Sequence, residues 1–325
     1  MSNVKRAVLP EKLDSSVANN EAQRTNVGVR IPSPEPSLEA DPAFCGRIAE
    51  ELGFESIWYP DHPILPVSTT ANYRHLGAKG SAHRWDRDSS VPTDGSIPDV
   101  YAHFPDPLIS LATASAATTR LMLGTGIILV PERNPLLLAK EVATLDRLSG
   151  GRLLLGVGTG WIREETEIMG GDPDHRWGQT REAILAMKEL WTNEPAEFHG
   201  RFYDFPLVRS NPKPLSDPYP PVLIGGETQR AFERIVEWGD GWLPWSLTPQ
   251  GVAEGRRKLE TLASDAGRDP AAITTTVYGI LPRRELVRSF FDAGADRVVV
   301  RRETTVNGES EMAADLERIA EEVLR

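Results

Sequence analysis

One cysteine, Cys45, stands among 325 residues, so neither a disulfide framework nor a cysteine metal cluster is available. Between Phe44 and Ile48 on what reads as a helical face, it has the place of a small buried hydrophobe. No apolar run approaches the ~18 residues that a membrane span requires. The first 25 residues lack the apolar core of a signal peptide. That polar opening, residues 1–25, reads as a mobile, disordered tail, and the compartment the sequence suits is the cytoplasm. Positive charge is also short: 36 Lys and Arg face 47 Asp and Glu, for a net charge of −11. Such a balance argues against nucleic acid or an anionic membrane as the main partner. No internal repeat is evident, and no GxSxG, P-loop or paired-carboxylate arrangement stands out. The histidine spacings fit no HExxH-type site, so no metal is expected.

What the chain does have is a regular alternation of β-rich and helical runs from residue 26 to the end, read as one domain. VGVRI (27–31), SIWYPDH, LMLGTGIILV, RLLLGVG, VLIGG, GWLPW, TTTVYG and RVVVR read as strands. Between them lie helical runs such as DPAFCGRIAEELGF, with Phe44, Ile48, Ala49 and Leu52 on one face. In NPLLLAKEVATLDRLSGG, Asn134 suits the N-cap and Pro135 the first helical position. Leu138, Val142, Leu145 and Leu148 recur at helical spacing, and Gly150 and Gly151 end the run. A last amphipathic helix is expected over 310–324. About eight strand–helix units over roughly 300 residues is the count and size of an α/β (β/α)8 TIM barrel. Two segments interrupt the rhythm. Residues 63–106 are an aperiodic insertion with the composition of an active-site lid, and 196–208 read as a β-hairpin turning at Gly200.

In such a barrel the chemistry belongs at the C-terminal ends of the strands. GFESIWYPDHPIL begins as a half-buried strand, Ile57 and Tyr59 alternating with Ser56 and Trp58, and ends in Asp61 and His62. An imidazole there has a use, because it exchanges protons near neutral pH; the plainer alternative is a turn pair held by Pro63. Gly156, Gly158 and Gly160 in GVGTGW do not make a dinucleotide fingerprint. They follow several βα units, and no acid ends a second strand at the required distance. Close backbone approach to an anion, with Thr159 and the next helix start as donors, fits better. Gly225 and Gly226 offer the same, and tight strand-to-helix turns are the alternative for both. His75, His83 and His103 fall in the long insertion, facing substrate or solvent. His175 and His199 read as surface or hairpin residues. Trp238, Trp242 and Trp245 suit either a flat aromatic ligand or the core.

GFESIWYPDH, TTRLMLGTGIILVPERNPLLLAKEVATLDRLSGGRLLLGVGTGW, FHGRFYDF, PPVLIGG and GDGWLP together resemble the luciferase-like monooxygenase superfamily, most strongly its F420-dependent oxidoreductase branch. The resemblance covers roughly 26–277, with TLDRLSGGR as a specific marker. It implies a bacterial luciferase-like TIM barrel carrying coenzyme F420, or alternatively FMN, at its C-terminal mouth. It implies that His62, with Asp61 beside it, serves in proton transfer. It places Thr125, Gly126 and Ile127 against the cofactor, with a non-prolyl cis peptide at Gly126–Ile127. Phosphate contacts would come from Gly158, Thr159, Gly160, Gly225 and Gly226. Family members are commonly homodimers or larger.

The resulting expectation is an enzyme moving a hydride between C5 of coenzyme F420 and a small organic substrate, such as an activated C=C or C=N bond in secondary metabolism. The alternative is an FMNH2-dependent two-component monooxygenase, because a deazaflavin does not support the oxygen chemistry such a reaction needs. A non-catalytic flavin-binding barrel is the third possibility. Substrate identity does not carry over, since 63–106 is where the sequence departs most from the family.

Overall fold

The computed structural model describes residues 26–31, 40–67, 69, 97, 101, 103–245 and 247–325. The expected tail at 1–25 and most of the 63–106 insertion, His75 and His83 included, lie outside them.

Eight parallel strand positions close into a barrel. In chain order they are β1 (Val27–Arg30), β2 (Ser56–Tyr59), β3 (Met122–Thr125) with its continuation β4 (Ile128–Leu129), β5 (Leu153–Gly158), β8 (Val222–Gly225), β9 (Gly241–Leu243), β10 (Thr274–Ile280) and β11 (Arg297–Arg301). Neighbours pair in the order β3-β2-β1-β11-β10-β9-β8-β5, and β3 and β4 both pair with β5, which closes the ring. The hairpin stands apart from the barrel as β6 (Ala196–His199) and β7 (Asp204–Val208), joined across Gly200–Tyr203.

Helices cover the outside: α1 (Pro42–Leu52), α2 (Pro107–Ala116), α3 (Pro135–Ser149), α4 (Arg163–Ile168), α5 (Arg176–Thr192), α6 (Gln229–Trp238), α7 (Pro249–Asp265), α8 (Arg284–Asp292) and α9 (Glu309–Val323). Their ends follow the chemistry of the sequence. In α3 the Asn134 side chain accepts from the amides of Leu136 and Leu137, Pro135 opens the helix, and Gly150 closes it at φ 76°. Asp41, Asp106, Thr228 and Thr248 cap α1, α2, α6 and α7 in the same way.

The strands sort their side chains into two cores. Ile57, Leu123, Leu153, Leu155, Val222, Ile224, Val298 and Val300 pack outward against the helices, with Cys45 buried among them. Trp58, Leu154, Leu223, Leu243, Tyr278 and Val299 fill the inside. The half-buried pattern expected for SIWY is therefore corrected: all four residues are buried. A strand enclosed by barrel interior on one face and helices on the other has no wet side. Trp58 fills the interior because its neighbours are small. A Cβ on Gly124 would stand 2.2 Å from the Trp58 ring, and one on Gly28 2.8 Å from its Nε1.

TLDRLSGGR proves to be a structural clasp. Asp146 is wholly buried and accepts from the amides of Leu215 and Ser216 and from the Ser216 hydroxyl, all at 2.8 Å. Arg152 donates to the carbonyls of Ser115, Thr118, Leu121 and Ser149. One motif thus fastens α3 to the segment before β8 and to the C-terminal end of α2.

Candidate active site

A cavity of about 410 Å3 opens at the C-terminal end of the barrel, inside the range usual for small-molecule sites, roughly 300–1,000 Å3. Asp61, His62, Gly126, Ile127, Gly158, Thr159, Gly160, Gly225 and Gly226 all line it. Of the expected site residues only Thr125 does not; it is buried, and its hydroxyl donates to the Gly156 carbonyl at 2.8 Å.

His62 follows β2 and is held by a residue that follows β5, two strand positions away. Its Nδ1 lies 2.8 Å from Oε2 and 3.1 Å from Oε1 of Glu165 on α4. Glu165 is fully buried. An ionised carboxylate only accepts, so this pairing puts the proton on Nδ1 and leaves Nε2 as the nitrogen that meets a ligand. Around the imidazole stand Tyr101, Phe104 and Trp161, at centroid distances of 5.2, 6.0 and 6.3 Å.

Asp61 is tied differently. Arg133 donates to it through Nη2 at 2.7 Å and Nε at 3.1 Å, and the Leu129 amide donates at 3.0 Å. Asp61 therefore joins the end of β2 to the turn after β4, with its acceptor atoms already taken up by the protein. Arg133 also reaches Asp106, the cap of α2. Beneath this layer lies Glu132. Burial first, and the Glu165 carboxylate second, push its pKa up to about 8. Thr166 donates to one oxygen, while the other is buried without a partner.

The floor is formed by the bulge between β3 and β4. The Gly126–Ile127 peptide is cis, as expected. Tyr278 packs so closely that a Cβ on Gly126 would lie 2.4 Å from its ring, and a Cβ on Gly158 would lie 2.0 Å from Cδ1 of Ile127. The glycines thus have packing reasons of their own. Gly156 likewise admits the Thr125 carbonyl.

Two buried polar atoms at the cavity have no protein partner: the Tyr278 hydroxyl and Arg30 Nε. Burial raises the Tyr278 pKa to about 12, so it stands as a neutral donor. Hydrogen-bonding groups left unmatched in a buried wall suit a ligand with heteroatoms along its edge. Trp245 lines the cavity, whereas Trp238 and Trp242 are buried in the outer core, so the three tryptophans divide between the two uses open to them. His175 pairs with Asp172, and His199 with Asp204 in the hairpin. Among the described residues no group of three His, Cys, Asp or Glu is placed to hold a metal ion, and no helix is long and apolar enough to cross a membrane.

Sequence reasoning missed Glu165, Arg133, Arg30, Tyr278 and Trp161 as site residues. Trp161 and Glu165 follow GVGTG within five positions, a signal that was present in the motif itself. Arg30 and Tyr278 gave none, because a strand residue facing a barrel mouth reads like any other.

Residues 43–282 match the luciferase-like monooxygenase family, and the chain belongs to it. An uncharacterized protein of Mycobacterium tuberculosis (strain H37Rv) is 38% identical over 231 residues, covering 70% of this chain and 75% of that relative. An FMNH2-dependent dimethylsulfone monooxygenase of Pseudomonas putida is 29% identical over 181 residues, 54% of this chain and 49% of that protein. Among solved structures, an F420-dependent secondary alcohol dehydrogenase superposes with a TM-score of 0.68 at 18% identity, covering 92% of this chain and 98% of that one. The chain is thus an enzyme of that family; it is similar in sequence to an FMNH2-dependent monooxygenase and in fold to an F420-dependent dehydrogenase.

Proposed function

We propose that this chain is an oxidoreductase that binds coenzyme F420 at the barrel mouth and acts on a small organic substrate held against the aromatic wall. The observation that carries this reading is the His62–Glu165 pair, buried at a strand end and facing a cavity floored by the Gly126–Ile127 bulge. The unmatched Tyr278 hydroxyl and Arg30 Nε fit a flat ring with polar edge atoms, and Gly126, Ile127 and Tyr278 would back it. When bound, the coenzyme supplies hydride chemistry. The chain supplies the rest. His62, oriented by Glu165, gives or takes a proton at Nε2. Tyr101, Phe104 and Trp161 exclude water from that nitrogen. Asp61 positions the end of β2 through Arg133 and does not itself exchange the proton.

A second reading, an FMNH2-dependent monooxygenase with a two-component supply of reduced flavin, is favoured by the Pseudomonas putida relative. Direct titration separates the two. The purified protein should bind oxidised F420 with micromolar or tighter affinity, roughly −8 kcal/mol or better, as followed by fluorescence or calorimetry. FMN binding tighter by about tenfold or more would replace the first reading with the second.

A further inference from the structure

Along β1 the side chains alternate between two surroundings. Val27 and Val29 pack into the outer core, so Gly28 and Arg30 face the barrel interior. Arg30 holds the last position of the strand and opens onto the cavity. Its guanidinium lies over the Phe104 ring at 5.4 Å, and the His62 ring stands 6.0 Å from that same ring. β1 and β2 are paired neighbours, so a cation and an imidazole flank one aromatic side chain on the same side of the mouth.

Among the described residues Arg30 is the single Lys or Arg that lines the cavity. Among them, too, it has no ion pair and no side-chain hydrogen bond, although its Nε is buried. The acids around the cavity are placed elsewhere. Asp61 is held by Arg133, and Glu165 by His62. Glu227 follows β8, four strand positions from β1 around the ring, and so stands on the opposite side of the mouth. Burial raises the Glu227 pKa, which weakens it further as a counter-charge. A half-buried guanidinium with no counter-ion is unfavourable until a ligand brings one. A neutral ring edge would use the Nε–H and leave the charge and four other N–H groups of the fork unanswered. The Tyr278 hydroxyl adds a donor nearby: burial raises its pKa, and the charge of Arg30 opposes that rise.

We infer that Arg30 anchors the substrate, and that the substrate is a small planar carboxylic acid. Its carboxylate would meet the guanidinium, its body would lie against Phe104, and the bond that changes would face His62. The inference rests on the oxidoreductase reading, in which a flat cofactor covers the cavity floor. Guanidinium–carboxylate pairs are two-pronged, so they fix orientation as well as affinity. Because Arg30 and His62 share Phe104, the reacting bond of such an acid lies only a few atoms from its carboxylate.

The experiment measures equilibrium binding of benzoate and cinnamate, and of their neutral amides, to the F420-loaded protein. Wild type is compared with Arg30→Gln and Arg30→Lys, each checked for an unchanged melting temperature. Wild type should bind each acid about tenfold or more tightly than its amide. Arg30→Gln should abolish that preference, and Arg30→Lys, which restores the charge without the fork, should recover part of it. The affinity of Arg30→Gln for F420 itself should fall by no more than about threefold, since the Gln amide still donates to a ring edge. Equal wild-type affinity for acids and amides would overturn the inference and leave the cofactor reading standing. An Arg30→Gln protein that keeps the acid preference but loses F420 would also overturn it, because the guanidinium would then serve the ring. If the protein loads FMN and not F420, the cofactor reading falls, and the same acid–amide comparison on the FMN-loaded protein decides the inference by the same outcomes.

Discussion

His62 draws its usefulness from a residue 103 positions away. Glu165 fixes the ring and its tautomer, so the two should respond differently to substitution. His62→Asn keeps a polar side chain but cannot exchange a proton, and turnover should fall ~10²-fold or more. F420 binding should change far less, because the floor of the cavity is untouched. Unchanged turnover in steady-state assays would make His62 a wall residue only. Glu165→Gln retains shape but can turn its amide NH2 toward Nδ1 and favour the wrong tautomer. It should lower kcat about tenfold while KM changes little, the signature of an interaction made in the transition state. A rise in KM with constant kcat would assign Glu165 to packing alone.

At the scale of elements, most of the barrel was legible. Eight strand positions, the capped α3, the hairpin turning at Gly200 and the C-terminal helix fell where periodicity and caps placed them, because those signals are local. Two things were not legible. The inward and outward faces of SIWY could not be sorted, since the glycines that make room for Trp58 sit on β1 and β3. The partners of Asp61 and His62 were hidden because Arg133 and Glu165 reach the mouth on other βα units. The marker TLDRLSGGR was recognised, but its reason, the buried clasp of Asp146 on the segment before β8, needed coordinates. Asp146→Ala would strand two amides and a hydroxyl, at a cost of roughly 3 kcal/mol. Urea denaturation should show the midpoint falling; a stable Asp146→Ala protein would mean that water replaces the clasp.

For the molecule as a whole, Glu132 links the site to stability. Its pKa rises on folding from the ordinary 4.5 to about 8, so folding takes up a proton between those values. The group's contribution is fully present below about pH 4.5 and is lost as pH rises through about 8. Melting temperature should therefore decline across that window, and Glu132→Gln, which carries no charge at any pH, should flatten the decline and melt higher than wild type near pH 8. Parallel melting curves for the two proteins would show that Glu132 is ionised in the fold.

Trp161 and Trp177 form the ridge between the cavity and a neighbouring open groove lined by Arg230 and Arg234, and Trp245 lies within the cavity. Three of the eight indoles in the chain therefore stand where a ligand would settle. The protein carries its own optical reporters: Trp245 answers to what fills the cavity, while the two ridge indoles sense both compartments. Emission from single-tryptophan versions would thus report separately on what occupies the cavity and what occupies the groove, with no label attached.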